Sequence, residues 1–232
     1  DYWFTQFDFP DINGRPYRSS GGKMIWSGEL KREIPARWVA GKTGCMIEDI
    51  RTGLNPRTNF TLKSSGIAYL TVKNITSDGD IDFTGCDFID EHDRTIVHRR
   101  SDVSKGDILF ASIAPLGRCY LVRKDPETWD INESVFSVRP NVATTTPEFL
   151  FLLLTSEWFI KAAEGSSAGS IFKGIRNEEL RNLDMPLPSI ETIRQFTETI
   201  RPLMDQIGLL QDENRELTSL RNWLLPMLMN GQ

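Results

Sequence analysis

Between Trp38 and Pro140 the apolar positions come in short, often alternating runs, each stopped by a turn residue. That is the two-residue period of half-buried strands. "GIAYLTVKNIT" (66–76) reads as a β-branched strand and "GDIDFTGCDFI" (79–89) as an alternating one. "GDILFASIAPLGRCYLVRK" (106–124) reads as two strands joined at Pro115–Gly117, and "ESVFSVRP" (133–140) as a further alternating strand. Thr146 followed by Pro147 is an N-cap with proline at the first helical position, and the helix it starts is expected to run to Ala163 with a buried face. After Ile190 the period changes to seven. Ile193, Ile200, Ile207, Asn214 and Arg221 form one line, and Phe196, Leu203, Leu210, Leu217 and Leu224 the other. This is a coiled-coil seam. It spans roughly 50 Å at about 1.5 Å per residue, which favours a partner helix over packing on its own domain. Pro202 and Gly208 are expected to bend it, and Asn214 is the kind of seam residue that sets register in parallel pairs.

Before Trp38 the chain is rich in turn formers, with Asp-Ile-Asn-Gly, Ser-Ser-Gly-Gly and three prolines. It is expected to be an extended connector whose aromatics (Tyr2, Trp3, Phe4, Phe7, Phe9) anchor it on an apolar surface. The expected fold is α+β: a connector at 1–35, a mixed α/β domain with an irregular curved sheet at 36–188, and one long C-terminal coiled-coil helix at 189–232. Composition agrees with a globular protein: of 232 residues, 39% are hydrophobic and 25% charged. The richest apolar stretch, "FLFLLLTSEWFI" (149–160), is too short for a membrane span and contains Glu157. The opening "DYWFTQFDFP" has neither an initiator Met nor a signal-peptide pattern, which reads as a fragment or internal segment. Three scattered cysteines (Cys45, Cys86, Cys119) with no C-x-x-C suit reduced thiols in a cytoplasm and argue against zinc.

The net charge of −5 argues against nucleic acid only if it is averaged over the chain. Residues 50–77 hold four bases (Arg51, Arg57, Lys63, Lys73) and no acid, 78–93 hold seven acids and no base, and 94–124 hold seven bases against Asp102 and Asp107. Such segregation can present a positive face on an acidic protein, the alternative being ordinary solvated loops. Catalytic signatures are poor. The two histidines, His92 and His98, lie in what reads as a charged, solvated turn, with no G-x-S-x-G. Gly169 and Gly174 have P-loop separation, but Ile175 and Arg176 follow where Lys and Ser/Thr are required. No G-x-G-x-x-G follows a strand, and "NPRT" (55–58) is not the Asn/Asp-Pro-Pro-aromatic motif of an amino-methyltransferase. Pro10-Asp11 with Glu29-Leu30-Lys31 matches the permissive Pro-Asp…Glu-x-Lys pattern of metal-dependent nucleases. The intervening glycine- and serine-rich residues do not read as the strands that pattern needs.

Taken in order, the motifs resemble the second half of the DNA specificity (S) subunit of type I restriction–modification systems. "YWFTQFDFPDINGRPYRSSGGKMIWSGELKREIP" is similar to the connector that enters the second target recognition domain, and "GLNPRTN" to that domain's opening loop. "GIAYLTVKNIT" resembles its first recognition strand, "KGDILFASIAPLGRCYLV" its Gly-Asp-Ile-Leu hairpin and "SSAGSIFKGI" its Gly-Ser-x-x-x-Gly-Ile loop. "LRNLDMPLPSIETIRQF" resembles the exit into the spacer helix, although it lacks the second Pro and the Glu-Gln pair common there. "ELTSLRNWLLPMLMNG" resembles the helix's Leu-Arg-x-x-Leu-Leu-Pro-x-Leu ending. The likeness covers almost the whole chain.

The resemblance implies a non-catalytic subunit whose two recognition domains each read half of a split double-stranded DNA site. Two antiparallel helices separate those domains, and the subunit recruits methyltransferase (M) and restriction (R) subunits. A chain with one domain and one helix is then either half of such a subunit or a half-subunit that dimerises through Ile193, Phe196, Ile200, Leu203, Ile207, Leu210, Asn214, Leu217 and Leu224. Asn214 sits awkwardly with antiparallel pairing. No cofactor, catalytic residue, metal or membrane is expected. The candidate DNA-contacting residues are Arg57, Lys63, Lys73, Asn74, Ser112, Arg118, Ser167, Ser170 and Lys173. Arg can fork onto guanine and Asn onto adenine, whereas Lys63, Lys173 and the hydroxyls and amides of 166–175 suit backbone phosphate. Each has a plainer alternative: Arg57 and Lys63 as solvated charges, Asn74 as a turn cap, Arg118 as a partner for Asp107, and 166–175 as a connector. A metal-dependent nuclease and a coiled-coil adaptor without DNA binding are the competing functions.

Overall fold

The computed structural model describes residues 2–166 and 174–229. In chain order its strands and helices are β1 (Met24–Ser27), β2 (Arg32–Pro35), β3 (Val39–Lys42), β4 (Ile47–Thr52), α1 (Pro56–Asn59), β5 (Ile67–Leu70), β6 (Asp87–Ile89) and α2 (Glu91–Ser101). There follow β7 (Ile108–Ala111), β8 (Cys119–Leu121), β9 (Trp129–Ile131), β10 (Val135–Pro140), α3 (Pro147–Leu154), α4 (Glu157–Ser166), α5 (Asn177–Arg181), β11 (Asp184–Leu187) and α6 (Ile190–Met229). Contacts divide the chain into two units, 1–194 and 195–232.

Within the first unit the main sheet is antiparallel, in the order β4-β10-β7-β8. Its centre is the wholly apolar run Ile108–Ala111, which pairs with Val135–Val138 on one side and Cys119–Leu121 on the other. All four residues of β7 are buried, so this strand is covered on both faces. A second sheet, β6-β5-β9, pairs β5 antiparallel with β6 and parallel with β9. The two sheets come together at Gly53. A Cβ placed there would stand 1.6 Å from the Ile131 carbonyl oxygen, so only glycine lets the chain pass. A third pairing, β3 with β11, ties residues 39–42 to 184–187 just before the long helix begins.

Four expectations need correction. Residues before 36 are not an extended connector. Phe7, Phe9, Ile34 and Trp38 form a buried cluster with Phe4 and Tyr17 packed on it, and β1–β2 closes it as a hairpin. Apolar area removed from water, with Phe9 stacked between Tyr17 and Trp38, outweighs the many turn residues here. The expected strand over 79–89 shrinks to β6, because Gly79 and Gly85 adopt left-handed φ of +80° and +68° and the Asn74 side chain holds the turn at Asp82. The expected helix over 146–163 breaks at Thr155–Ser156, where the Thr155 hydroxyl donates back to the Phe151 carbonyl and the Ser156 hydroxyl caps α4 through the Phe159 amide. The charged turn holding His92 and His98 is the helix α2, capped by the Asp90 carboxylate on the Asp93 amide and ended by Asp102 in the left-handed region. It has no continuous apolar stripe, so its periodicity carried no helical signal.

In the second unit α6 runs 40 residues, about 60 Å at roughly 1.5 Å per residue. Leu203, Ile207, Leu210, Leu217 and Leu224 are exposed on it, as is Asn214. Ile193, at its start in the first unit, is fully buried, and Phe196 and Ile200 are half-buried.

Candidate nucleic-acid interface

Of the expected DNA-contacting residues, Ser112 and Arg118 bracket the β7–β8 connection, residues 112–118, and Lys73 and Asn74 lie on a turn bonded to it. Ser112 sits at its start, buried, with its hydroxyl donating to the Ser134 carbonyl at 2.7 Å. Its own carbonyl accepts from the Ile175 amide at 2.8 Å, and Ile113 forms an antiparallel bridge with Gly174. The residues that close the "SSAGSIFKGI" stretch are therefore laced to the hairpin. Ser167, Ser170 and Lys173 themselves lie outside the described residues. At the far end of the connection, Arg118 Nη1 donates to the Ile75 carbonyl at 3.4 Å, joining the hairpin to the turn that carries Lys73 and Asn74.

The two residues of that turn have different fates. Thr71 and Asn74 form a capping box around a short 3-10 turn, Val72–Asn74. The Asn74 amide also donates to the Asp82 carbonyl at 2.9 Å, and the residue is 6% exposed. Its hydrogen-bonding groups are thus already engaged, as in the turn-cap reading. Lys73, beside it, is exposed, and its ammonium has no partner among the described residues. Arg57 stands on the single turn of α1, which Asn55 caps through the Arg57 amide at 2.9 Å with Pro56 at the first position. The Arg57 guanidinium is exposed, with no ion pair among the described residues. Asn55 also reaches Glu133 at 2.7 Å, next to the Ser134 that Ser112 bonds. Lys63 is set apart: its ammonium pairs with Asp90, the α2 cap, at 3.3 Å.

Two further bases, Arg139 and Arg51, are neutralised. Arg139 grips Asp107 through Nε (2.9 Å) and Nη2 (3.0 Å), and its Nη1 reaches Asp102 at 3.1 Å. The hydrogen bond to Asp107, first of all, pushes the Arg139 pKa up. Asp107, nearly fully buried, also accepts from the Ser137 hydroxyl and the Ser104 amide. Its partner is therefore Arg139, not Arg118. Arg139 is an outlying residue of an alternating strand, and only the β10–β7 register brings it opposite Asp107, so no local signal could have shown it. Arg51 is held by Asp49 at 2.7 Å and Asp102 at 3.1 Å. The nuclease pattern is not built either. Asp11 is spent on an Asx turn with the Asn13 and Arg15 amides, Glu29 is an exposed residue of the β1–β2 turn, and neither is on a strand. Among the described residues no cluster of three or more His, Cys, Asp or Glu could hold a metal.

Residues 49–219, from β4 into α6, match the family model of the type I restriction modification DNA specificity domain. The chain belongs to that family. It is 33% identical over 123 residues to the type I restriction enzyme HindI specificity subunit of Haemophilus influenzae, covering 51% of this chain and 26% of that protein. It is 26% identical over 162 residues to the EcoBI specificity subunit of Escherichia coli, covering 68% and 33%. Among solved structures, the HsdS subunit from Thermoanaerobacter tengcongensis superposes with a TM-score of 0.55 at 18% identity, over 85% of this chain and 50% of that one. The type I restriction–modification S subunit from M. genitalium gives 0.53 at 16%, over 82% and 45%. These superpositions show the specificity-subunit fold: mixed α and β with curved, open sheets and a long C-terminal helix. The chain spans half or less of the length of these four relatives. No helix among the described residues is long and apolar enough to cross a membrane.

Proposed function

We propose that this chain reads one half of a bipartite double-stranded DNA site as the non-catalytic specificity component of a type I restriction–modification assembly. One observation carries the reading. The bridge Ile113–Gly174 and the bond from Arg118 to Ile75 draw three separate motifs together around one hairpin connection. The exposed, unpaired cations Arg57 and Lys73 lie on the turns that adjoin it. In this reading the cations hold phosphates, and Arg118 with residues 167–173 reaches the bases or the backbone beside them. Lys63 contacts phosphate only by giving up Asp90. Asn74 and Ser112 shape the turns that present the others, and Ser167, Ser170 and Lys173 complete the contact.

The exposed seam of α6 pairs with a second such helix, from another copy or from the other half of a longer subunit, and separates two half-sites. M and R subunits join the same assembly, which works in the cytoplasm with no cofactor of its own. Selection from a randomised duplex tests the function directly: enrichment of a short fixed half-site is expected, and retention of no duplex at low salt rejects it. Lys73→Ala should then weaken binding to all duplexes alike and lower the salt slope by about one unit, whereas Arg118→Ala should relax one base position.

A further inference from the structure

Helix α2 holds a group of donors that the hairpin set does not include. His98 Nδ1 lies 2.9 Å from Asp130 Oδ2, the Ser101 hydroxyl donates to Asp130 Oδ1 at 2.6 Å, and the Ile131 amide donates to the same oxygen at 2.8 Å. Asp130 stands on β9 and is fully buried. A carboxylate behind Nδ1 places the ring proton there and leaves Nε2 for another partner. His98 therefore is not the solvated loop histidine that its sequence surroundings suggest.

The same helix borders a cavity of about 350 Å³ lined by Arg94, Thr95, His98, Arg99 and Asp102. The lining is rich in unused donors. Arg94 gives one Nη2 bond to the Pro126 carbonyl, while its Nε is buried without a partner. A buried N–H left unmade costs its desolvation until an acceptor arrives. The Arg99 guanidinium has no hydrogen bond or ion pair among the described residues. The one acid in the lining, Asp102, is already held by Arg51 and Arg139, each at 3.1 Å. Two guanidiniums with unused N–H groups, facing no free acceptor, suit an oxyanion that brings acceptors and no proton: a phosphodiester. Asp102 in the lining pairs with Arg51 of the acid-free stretch, so the cavity is tied to that stretch.

We propose that the α2 cavity is a second DNA contact, holding one backbone phosphate through Arg94 and Arg99, beside the Asp130-backed His98. The proposal rests on the DNA-reading function above.

The test is anisotropy of the full chain with a fluorescent mixed-sequence duplex of about thirty base pairs, across salt. Arg99→Ala should weaken binding about tenfold and lower the salt slope by about one unit. Arg100→Ala, the same charge lost one position away and outside the cavity, should change both much less. Because Arg99 has no partner in the fold, its variant reports on binding independently of stability. If Arg99→Ala and Arg100→Ala behave alike, the cavity is not a contact, although DNA reading stands. A cavity for free phosphate would leave the duplex slope unchanged in Arg99→Ala and instead lose thermal protection by inorganic phosphate, which overturns the proposal. If the unaltered protein binds no duplex, both readings fall.

Discussion

Strand β7 and helix α6 are built from the same kinds of residue and treat them oppositely. Ile108, Leu109, Phe110 and Ala111 are completely buried, whereas Leu203, Ile207, Leu210 and Leu217 each leave half or more of their surface open. A strand in mid-sheet has neighbours on both edges and cover on both faces, so its apolar area leaves water within one chain. A 40-residue helix outruns any small domain's surface, and its leucines stay in water until a second helix arrives. The first region is thus complete in itself, and the second reads as half of an interface. If the proposed function holds, recognition and spacing fall to parts of different kinds, one rigid by its own packing and one made by association.

The largest effect expected is in the complete region. Phe110→Ala removes a ring that meets Phe159 edge-on at 6.2 Å, and should cost about 3–5 kcal/mol in urea unfolding. With domain stabilities of about 5–15 kcal/mol, that is a large share of the total. An unchanged midpoint would remove the contrast. The helix should respond in the opposite sense. Replacing Leu210 and Leu217 together by alanine should leave the unfolding of the first unit unaltered. It should weaken self-association by about 2 kcal/mol per leucine, roughly thirtyfold each, converting a species near twice 26.4 kDa into one of 26.4 kDa in sedimentation. If the unaltered chain stays at 26.4 kDa at high concentration, self-pairing is wrong and the partner helix belongs to another part of a longer subunit.

The smallest effect belongs to the surface charges of the complete region. The hydrogen bond from Arg51 holds the Asp49 carboxyl below the usual carboxylate range. Its folded pKa lies below the unfolded one, so its contribution is present above the unfolded value and lost as pH falls through the folded one. Asp49→Asn should be slightly less stable than the parent at pH 7. It should match the parent in strong acid, as read from urea midpoints at the two pH values. An equal deficit at both would assign the loss to something other than the ion pair.

What could be read in advance follows from how local each cause is. Strand β10 and the β7–β8 pair announce themselves through alternation and through Pro115–Gly117, and the cap of α3 through Thr146-Pro147, because each cause lies within a few residues. Helix α2 was missed because its contacts are polar and remote: Asp130 for His98, and Arg51 and Arg139 for the Asp102 that ends it. Asn74 could be read either as a base contact or as a cap, and only the nearby Asp82 carbonyl and Cys86 thiol occupy its amide.

The sequence by itself determined the order of strands and turns, the seven-residue seam and the motif order that marks the family, since these depend on neighbours along the chain or on fixed spacing. Tertiary structure alone decided which charges remain available. Arg139 spends its charge on Asp107, brought opposite by sheet register, Arg51 spends its charge on Asp102 at the end of α2 besides its neighbour Asp49, Lys63 spends its charge on the α2 cap, and Arg57, Lys73 and Arg99 keep theirs. Ion pairing depends on distances of about 3–4 Å across the fold, which no pattern along one chain encodes.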